Sequence, residues 1–249
     1  MTLLKDKVAI VTGASAGIGR AIALLFAGQG AAVVLCARRA EMLADLAGRI
    51  TASGGRAAAV AGDVCDPATH DRLIACAADR FGGVDIAVNN AGIVGAVRPL
   101  ADLTPQDWQP VLATNLTAAF LGARAQIPAM LARGGGAMVF TSSFVGTSVG
   151  LPGMAAYGAA KAGLMGLAKG IAADYGDRNI RANALIVGGT DTDLAGDAQQ
   201  RAWAAGLHAM KRIADPTEIA QAALFLCSPM SSFVTGSALY ADGGNAAVK

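Results

Sequence analysis

Val8-Ala9-Ile10-Val11-Thr12-Gly13-Ala14-Ser15-Ala16-Gly17-Ile18-Gly19 runs from a short apolar strand through a glycine turn into the start of a helix. Gly13 permits the tight turn, and Gly17 lets the backbone approach a ligand with no Cβ in the way. Gly19 allows the helix to lie close to the sheet. The helix start beyond the turn offers unpaired N–H groups and a partial positive charge to an anion such as a pyrophosphate. Three nearby glycines could also be coincidence in a chain that has 32 of them. The strand–turn–helix context favours the functional reading.

The same alternation continues along the chain. Val8–Val11, Ala32–Cys36, Ala57–Ala61, Val84–Val88, Ala137–Thr141, Ala182–Val187 and Ala238–Tyr240 are short apolar runs. Apolar character without polar alternation suits parallel strands covered on both faces. Between them, Ile18–Ala27, Glu41–Thr51 and Leu164–Tyr175 carry apolar residues at helical spacing. Asp66-Pro67, Thr104-Pro105 and Asp215-Pro216 each set a capping side chain before a proline at the first helical position. Glu218, three residues after Asp215, completes a capping box. With no repeat, linker or composition break, the expectation is α/β. It is a single-domain, doubly wound Rossmann-type parallel sheet of about seven strands over residues 1–249, flanked by helices on both faces.

Composition removes other classes. Charged residues make up 15% of the 249, against about 25% in an average soluble domain. A 54% hydrophobic chain has ample surface to bury and is not disordered. A net charge of +2 with both signs interspersed gives no footprint for nucleic acid. Cys36, Cys65, Cys76 and Cys227 lack any CxxC spacing; they read as small buried hydrophobes in a reducing compartment. The mean hydropathy of +0.47 raises the question of a membrane. The charge-free window from Gly134 to Ala160 is long enough to span one, but its glycines, hydroxyl residues and Pro152 break any long apolar run. The start, MTLLKDK, does not resemble a signal peptide, so a cytoplasmic chain with no membrane partner is expected.

The glycine spacing is G-x-x-x-G-x-G, and together with motifs further along the chain it resembles the short-chain dehydrogenase/reductase family, whose glycine motif is TGxxxGIG. The similarity continues in order through Asn89-Asn90-Ala91-Gly92, Asn115, Ser142-Ser143 and Tyr157-Gly158-Ala159-Ala160-Lys161. It ends with the Asn183 segment, Thr235-Gly236 and Asp242-Gly243-Gly244. The resemblance implies hydride transfer with a nicotinamide dinucleotide and a homotetramer with two-fold symmetries. It also implies that Gly13, Ser15, Ala16, Gly17, Ile18 and Gly19 hold the pyrophosphate side. Asp63 and Val64 would meet adenine, although Asp63 also reads as a turn residue. Asn90, Ala91, Gly92, Val187, Gly188, Thr190 and Thr192 would line the nicotinamide half.

The position that would carry an acid for the 2′-hydroxyl of NAD is Ala37, and Arg38-Arg39 come next. With no carboxylate to repel a phosphate and a guanidinium able to fork onto it, NADP(H) is favoured over NAD(H), with Arg38 carrying most of the preference. Ala16, where many NADP-using relatives have a basic residue, argues the other way.

Tyr157 and Lys161, four apart on a helical segment, share a face. A phenol near its ordinary pKa of ~10 is a poor proton shuttle at neutrality, and a nearby ammonium favours the phenolate. By resemblance, Lys161 also binds the nicotinamide ribose, Ser143 orients the substrate carbonyl, and Asn115 anchors a water leading to Lys161. Ser143 lies fourteen residues before Tyr157, one more than the family's common spacing. That leaves Ser142 as an alternative, with the extra residue placed in the loop 148–153. Val187-Gly188 replaces the family's Pro-Gly.

The substrate pocket implied by resemblance is bordered by Val94, Val145, Leu151, Met154, Leu194, Trp203 and Leu207, under a covering segment at about 189–211. Few charges stand on it, which favours an apolar ketone or aldehyde. No metal-ligand cluster is legible in the sequence. His70 reads as a solvated helix residue, and His208 as a candidate for the pocket border. The expected activity is NADPH-dependent carbonyl reduction with Tyr157 as general acid/base. Alternatives are 3-oxoacyl-carrier-protein reduction, NAD-dependent polyol, sugar or alcohol oxidation, and an NADP-binding regulator without turnover.

Overall fold

Each of the seven apolar runs forms a strand: β1 Val8–Thr12, β2 Ala32–Ala37, β3 Arg56–Ala61, β4 Ile86–Asn89, β5 Gly136–Ser143, β6 Ile180–Val187 and β7 Ala238–Ala241. The structure, a computed structural model, describes residues 2–248. Met1 and Lys249, the first and last positions of the expected domain, lie outside the described residues. The strands make one sheet in the order β3-β2-β1-β4-β5-β6-β7, and every neighbouring pair is parallel. Parallel neighbours need crossover connections, and the helices between strands supply them.

The helices are α1 Gly17–Gly28, α2 Ala40–Ala52, α3 Pro67–Phe81, α4 Pro105–Leu112, α5 Ala118–Ala132, α6 Ala155–Tyr175, α7 Ala198–Gly206, α8 Pro216–Cys227 and the short α9 Asn245–Val248. Strand side chains alternate between two cores. Ala9 and Val11 of β1 pack with Ile22 and Phe26 of α1, Leu43 of α2 and Ile219 of α8. Val8 and Ile10 face the other way, onto Leu73 of α3, Met130 of α5 and Leu164 of α6. The low charge content is therefore a consequence of a sheet buried on both faces.

All three expected proline starts are capped, by Asp66 on α3, Thr104 on α4 and Asp215 on α8. Reciprocal capping boxes also form at Thr104/Asp107 and Asp197/Gln200. Strand β4 begins two residues later than the apolar run suggests. Just ahead of it, the Asp85 backbone still bonds to both neighbouring strands, through the Val8 carbonyl and the Ala137 N–H, while its carboxylate accepts the Val8 N–H at 2.9 Å and pairs with Arg133. Two expectations are corrected. His70 is 2% exposed, not solvated, because its Nε2 is bonded to the Val64 carbonyl at 2.8 Å. Cys36 and Cys227 are buried, whereas Cys65 and Cys76 reach the surface and are only partly covered. Among the described residues no helix is long and apolar enough to cross a membrane; the charge-free window folds as β5, a loop and the start of α6.

Candidate active site

Register carries the C-terminal ends of the central strands to one edge. Ser143 lies opposite Val187, and Val187 opposite Ala241. On the other side of the sheet's centre, β1 sits between β2 and β4, so the strand order turns back there and opens a crevice at the same edge. Thr12, the last residue of β1, ties this crevice together. Its hydroxyl accepts the N–H groups of Asn90 at 2.9 Å and Ala91 at 3.2 Å, and its carbonyl accepts Asn90 Nδ2.

The glycine loop fits a dinucleotide by its own geometry. Gly13 has φ +67°, and a Cβ there would lie 2.8 Å from Asn90 Nδ2; Gly17 has φ +50° and abuts Thr192. At the N-terminus of α1, Ala16 makes no side-chain cap and the first turn holds no acid. The leading N–H groups therefore remain available to an anion. Ser15 is buried, and its hydroxyl accepts Arg39 Nη2 at 2.8 Å. Arg38 is exposed beyond Ala37, on the side where it acts on Cys65. Asp63 accepts the Cys65 N–H, the turn role the sequence left open, and Val64 is buried. Ile18 is part-buried on α1. Thr190 donates to the Gly188 carbonyl, and Thr192 to that of Thr190.

The reactive groups converge from three elements. The Ser143 hydroxyl stands on the Tyr157 phenol's side, where it favours the ionised form of the phenol, and its Oγ accepts the Val145 N–H at 3.1 Å. Ser142, its rival, points elsewhere and donates to the Lys161 carbonyl at 2.7 Å. Lys161 is 4% exposed; its ammonium donates to the Thr141 carbonyl at 2.7 Å and stands 5.7 Å from the centre of the Tyr157 ring. Asn115 lies in a π-helical turn, Ala113–Thr117, between α4 and α5. Its amide donates to the carbonyls of Ile93 and Val111 and accepts the Ile93 N–H. Gly92 separates Asn115 from Lys161, and a Cβ there would meet both. The Asn115 role implied by resemblance thus falls on a residue that first of all fastens the loop after β4.

The electrostatics differ from the simple expectation of a depressed phenol. Burial pushes the Tyr157 phenol above its ordinary value, and the nearby Ser143 hydroxyl opposes this. Burial also pushes Lys161 down to about 8. Desolvation disfavours the charged form of each group.

Of the expected pocket residues, Val145, Leu151, Met154 and Leu207 pack into one apolar cluster with Tyr157 and Phe144. Val149, which the sequence did not single out, joins them. Val94 is part-buried outside that cluster. Leu194 and Trp203 are 69% and 57% exposed and stand away from it, because neither the 3-10 turn Asp193–Ala195 nor α7 buries any of its residues. Thr141 and Ser142 were also missed as partners of Lys161; nothing in their spacing marks which strand atoms a helix side chain will reach.

A family profile described as "Enoyl-(Acyl carrier protein) reductase" matches residues 13–246. The cyclohexanol dehydrogenase of Acinetobacter sp. (strain SE19) is 39% identical over 96% of this chain and 94% of its own length. The 3-oxoacyl-[acyl-carrier-protein] reductase of Vibrio cholerae is 38% identical over 97% and 98%. A crystal structure of a short-chain type dehydrogenase/reductase from Mycobacterium marinum superposes with a TM-score of 0.93 at 35% identity, covering 97% of this chain and 96% of that one.

The buried ammonium has a measurable cost. Lys161→Met is expected to raise stability at pH 7 by about 1–3 kcal/mol, less than the full relief because the Thr141 carbonyl loses its donor. Below pH 8 the wild-type lysine is protonated both folded and unfolded, so the whole cost is carried. Between about 8 and 10.5 the folded chain sheds the proton first and the cost fades. Urea unfolding at pH 7 and 9.5 should show the gain shrinking. A destabilised variant, or a gain independent of pH, would contradict this account.

Proposed function

The chain belongs to the short-chain dehydrogenase/reductase family, and we propose that it works as an NADPH-dependent reductase of apolar ketones, ring-shaped ones included. It is an NAD(P)-dependent oxidoreductase acting on CH–OH and C=O groups. The observation that carries the substrate reading is the Ser143–Tyr157 hydroxyl pair set against the apolar cluster of Val145, Leu151, Met154 and Leu207. A carbonyl oxygen can be held by the two hydroxyls while an aliphatic ring meets the cluster. The name of the cyclohexanol-oxidising relative fits this chemistry.

The bound dinucleotide supplies or accepts the hydride. Tyr157 Oη gives its proton to the carbonyl oxygen during reduction, and its raised pKa keeps it in the acid form at neutral pH. Ser143 Oγ fixes where that oxygen sits. Lys161, charged below about pH 8, stabilises the tyrosinate left behind. The free N–H groups of α1 receive the pyrophosphate. Gly92, Gly188, Thr190 and Thr192 line the nicotinamide half, and Arg38 and Arg39 take the 2′-phosphate. An NADPH-oxidation screen over ketones and aldehydes of graded size should find turnover, greatest for apolar cyclic ketones. Tyr157→Phe should lower kcat/KM by about 10²–10⁴-fold with cofactor affinity retained. A fully active Tyr157→Phe would remove the proton-transfer assignment.

Glu41 and Asp45 share a hollow with Ser15 and Arg20 beyond the glycine loop, and these carboxylates would oppose a phosphate, so an NADP preference has to be carried by Arg38 and Arg39. Arg38→Asp should lower the NADPH/NADH ratio of kcat/KM by about 30-fold or more. An unchanged ratio would move the preference from Arg38 to Arg39.

A homotetramer belongs to the same proposal. Phe233 is fully exposed, Tyr240 stands on the sheet's edge strand, Phe120 projects from α5, and Gly166 and Gly170 of α6 face open space. Two such faces suit two-fold pairings. Light scattering should give the mass of four chains, and a monomer would refute it.

A further inference from the structure

The backbone after β6 reads Val187-Gly188-Gly189, two glycines with no proline, where the proposed nicotinamide half is lined. Such a chain has little intrinsic stiffness. It is nevertheless fixed: the Gly188 N–H donates to the Ala241 carbonyl, the Gly189 carbonyl accepts the Ala214 N–H, and the remaining donor, the Gly189 N–H, is taken by His208. The ring is 1% exposed and its Nε2 accepts the Gly189 N–H at 2.9 Å. The ring meets Phe144, the residue after Ser143, edge to face at 5.4 Å between centroids. A Cβ at Gly243 would touch the ring's other side. His208 therefore bridges the ends of β5, β6 and β7. Its own segment is pinned by Met210 N–H to the Gly243 carbonyl and Asn245 Nδ2 to the Leu207 carbonyl. Gly189 is a glycine because a Cβ there would lie 2.9 Å from Nε2.

We propose that His208 is a positioning residue that holds the Gly188–Gly189 backbone in its cofactor-receiving shape, through an acceptor that exists only on the neutral imidazole. The functional half of this rests on the dinucleotide-dependent activity proposed above; the brace itself does not. Since Nε2 accepts from an amide, the proton of the neutral ring resides on Nδ1, which is buried and has no hydrogen-bond partner among the described residues. Protonation would turn Nε2 into a donor pointed at another donor and break the brace.

The charged groups facing the ring are Asp242, from the loop after β7, and Lys211, from its own segment; Phe144 and Gly189 bring none. Burial and Lys211 lower the pKa and Asp242 opposes them, leaving it below the ordinary 6.5. The brace is thus intact at neutral pH and released as the medium becomes acidic.

Two variants separate hydrogen bonding from packing. His208→Gln keeps an acceptor oxygen near Nε2, while His208→Leu fills space without one. In the free protein at pH 7.5, Gly189 amide exchange, resolved by mass spectrometry, should be about tenfold faster in His208→Leu and near wild type in His208→Gln. NADPH titration by fluorescence should show about tenfold weaker binding for His208→Leu and recovery for His208→Gln. As the pH falls from 7.5 through the acid range below 6.5, the wild type should lose affinity and amide protection relative to His208→Gln, which cannot titrate. Wild-type exchange in His208→Leu, a His208→Gln no better than His208→Leu, or a wild type that tracks His208→Gln with pH would each overturn the proposal. A protein that bound neither NADPH nor NADH would sink the proposed function instead, and Gly189 exchange would still decide the brace.

Discussion

The parallel ladder between β5 and β6, with Ser143 opposite Val187, is the constraint on which the rest of the molecule depends. A parallel pair evenly hydrogen-bonded along eight residues has one register, because a slip by one would turn every buried side chain to the wrong face. That register fixes the level at which both strands end. It sets the Ser143 hydroxyl and the Val187–Gly189 backbone side by side, and α6 then brings Tyr157 to the same level. The close passage of Gly146 against Gly158 makes this docking possible, since a Cβ on Gly146 would enter the α6 backbone.

Fixing α6 this tightly has an electrostatic consequence. Lys161 enters the protein between β5 and α6, where water is excluded, and it is retained as a cation by one short bond to the Thr141 carbonyl. Carbonyl ligation does not restore full hydration, so its affinity for the proton falls. The same burial raises the phenol. Each group's charged form is disfavoured by the same desolvation, so the pair is sensitive to its surroundings. A small change in the charge or solvent around them can then move a proton.

Much of the fold is legible in the sequence because burial on both faces leaves a pattern. Seven apolar runs became seven strands, and three capped prolines became three helix starts. The errors cluster where a side chain makes a bond outside its own element. Val84 is as apolar as a strand residue, yet β4 starts only at Ile86, after an Asp85 whose carboxylate bonds to Val8 and Arg133. His70 has the polarity of a surface residue, yet its ring finds a carbonyl six residues earlier and is sealed in. In neither case does local spacing hold the information, because the partner's position depends on the finished packing.

The site divides in the same way. Backbone-determined features, the glycine loop and the Tyr157–Lys161 spacing, could be read directly, since they derive from steric limits and helical geometry. Which hydroxyl faces Tyr157 could not. Ser142 and Ser143 are adjacent in a strand, so they point to opposite faces, and a single inserted residue in the next loop leaves the choice open. The covering segment was the least legible part. Leu194 and Trp203 are apolar and sit in the right stretch, but neither the 3-10 turn Asp193–Ala195 nor α7 buries any residue, so residue type alone does not tell an inward face from an outward one. This segment is anchored at its far end, by Met210 on Gly243, by Asn245 on Leu207 and by His208, whose ring accepts a backbone N–H and packs against an aromatic edge.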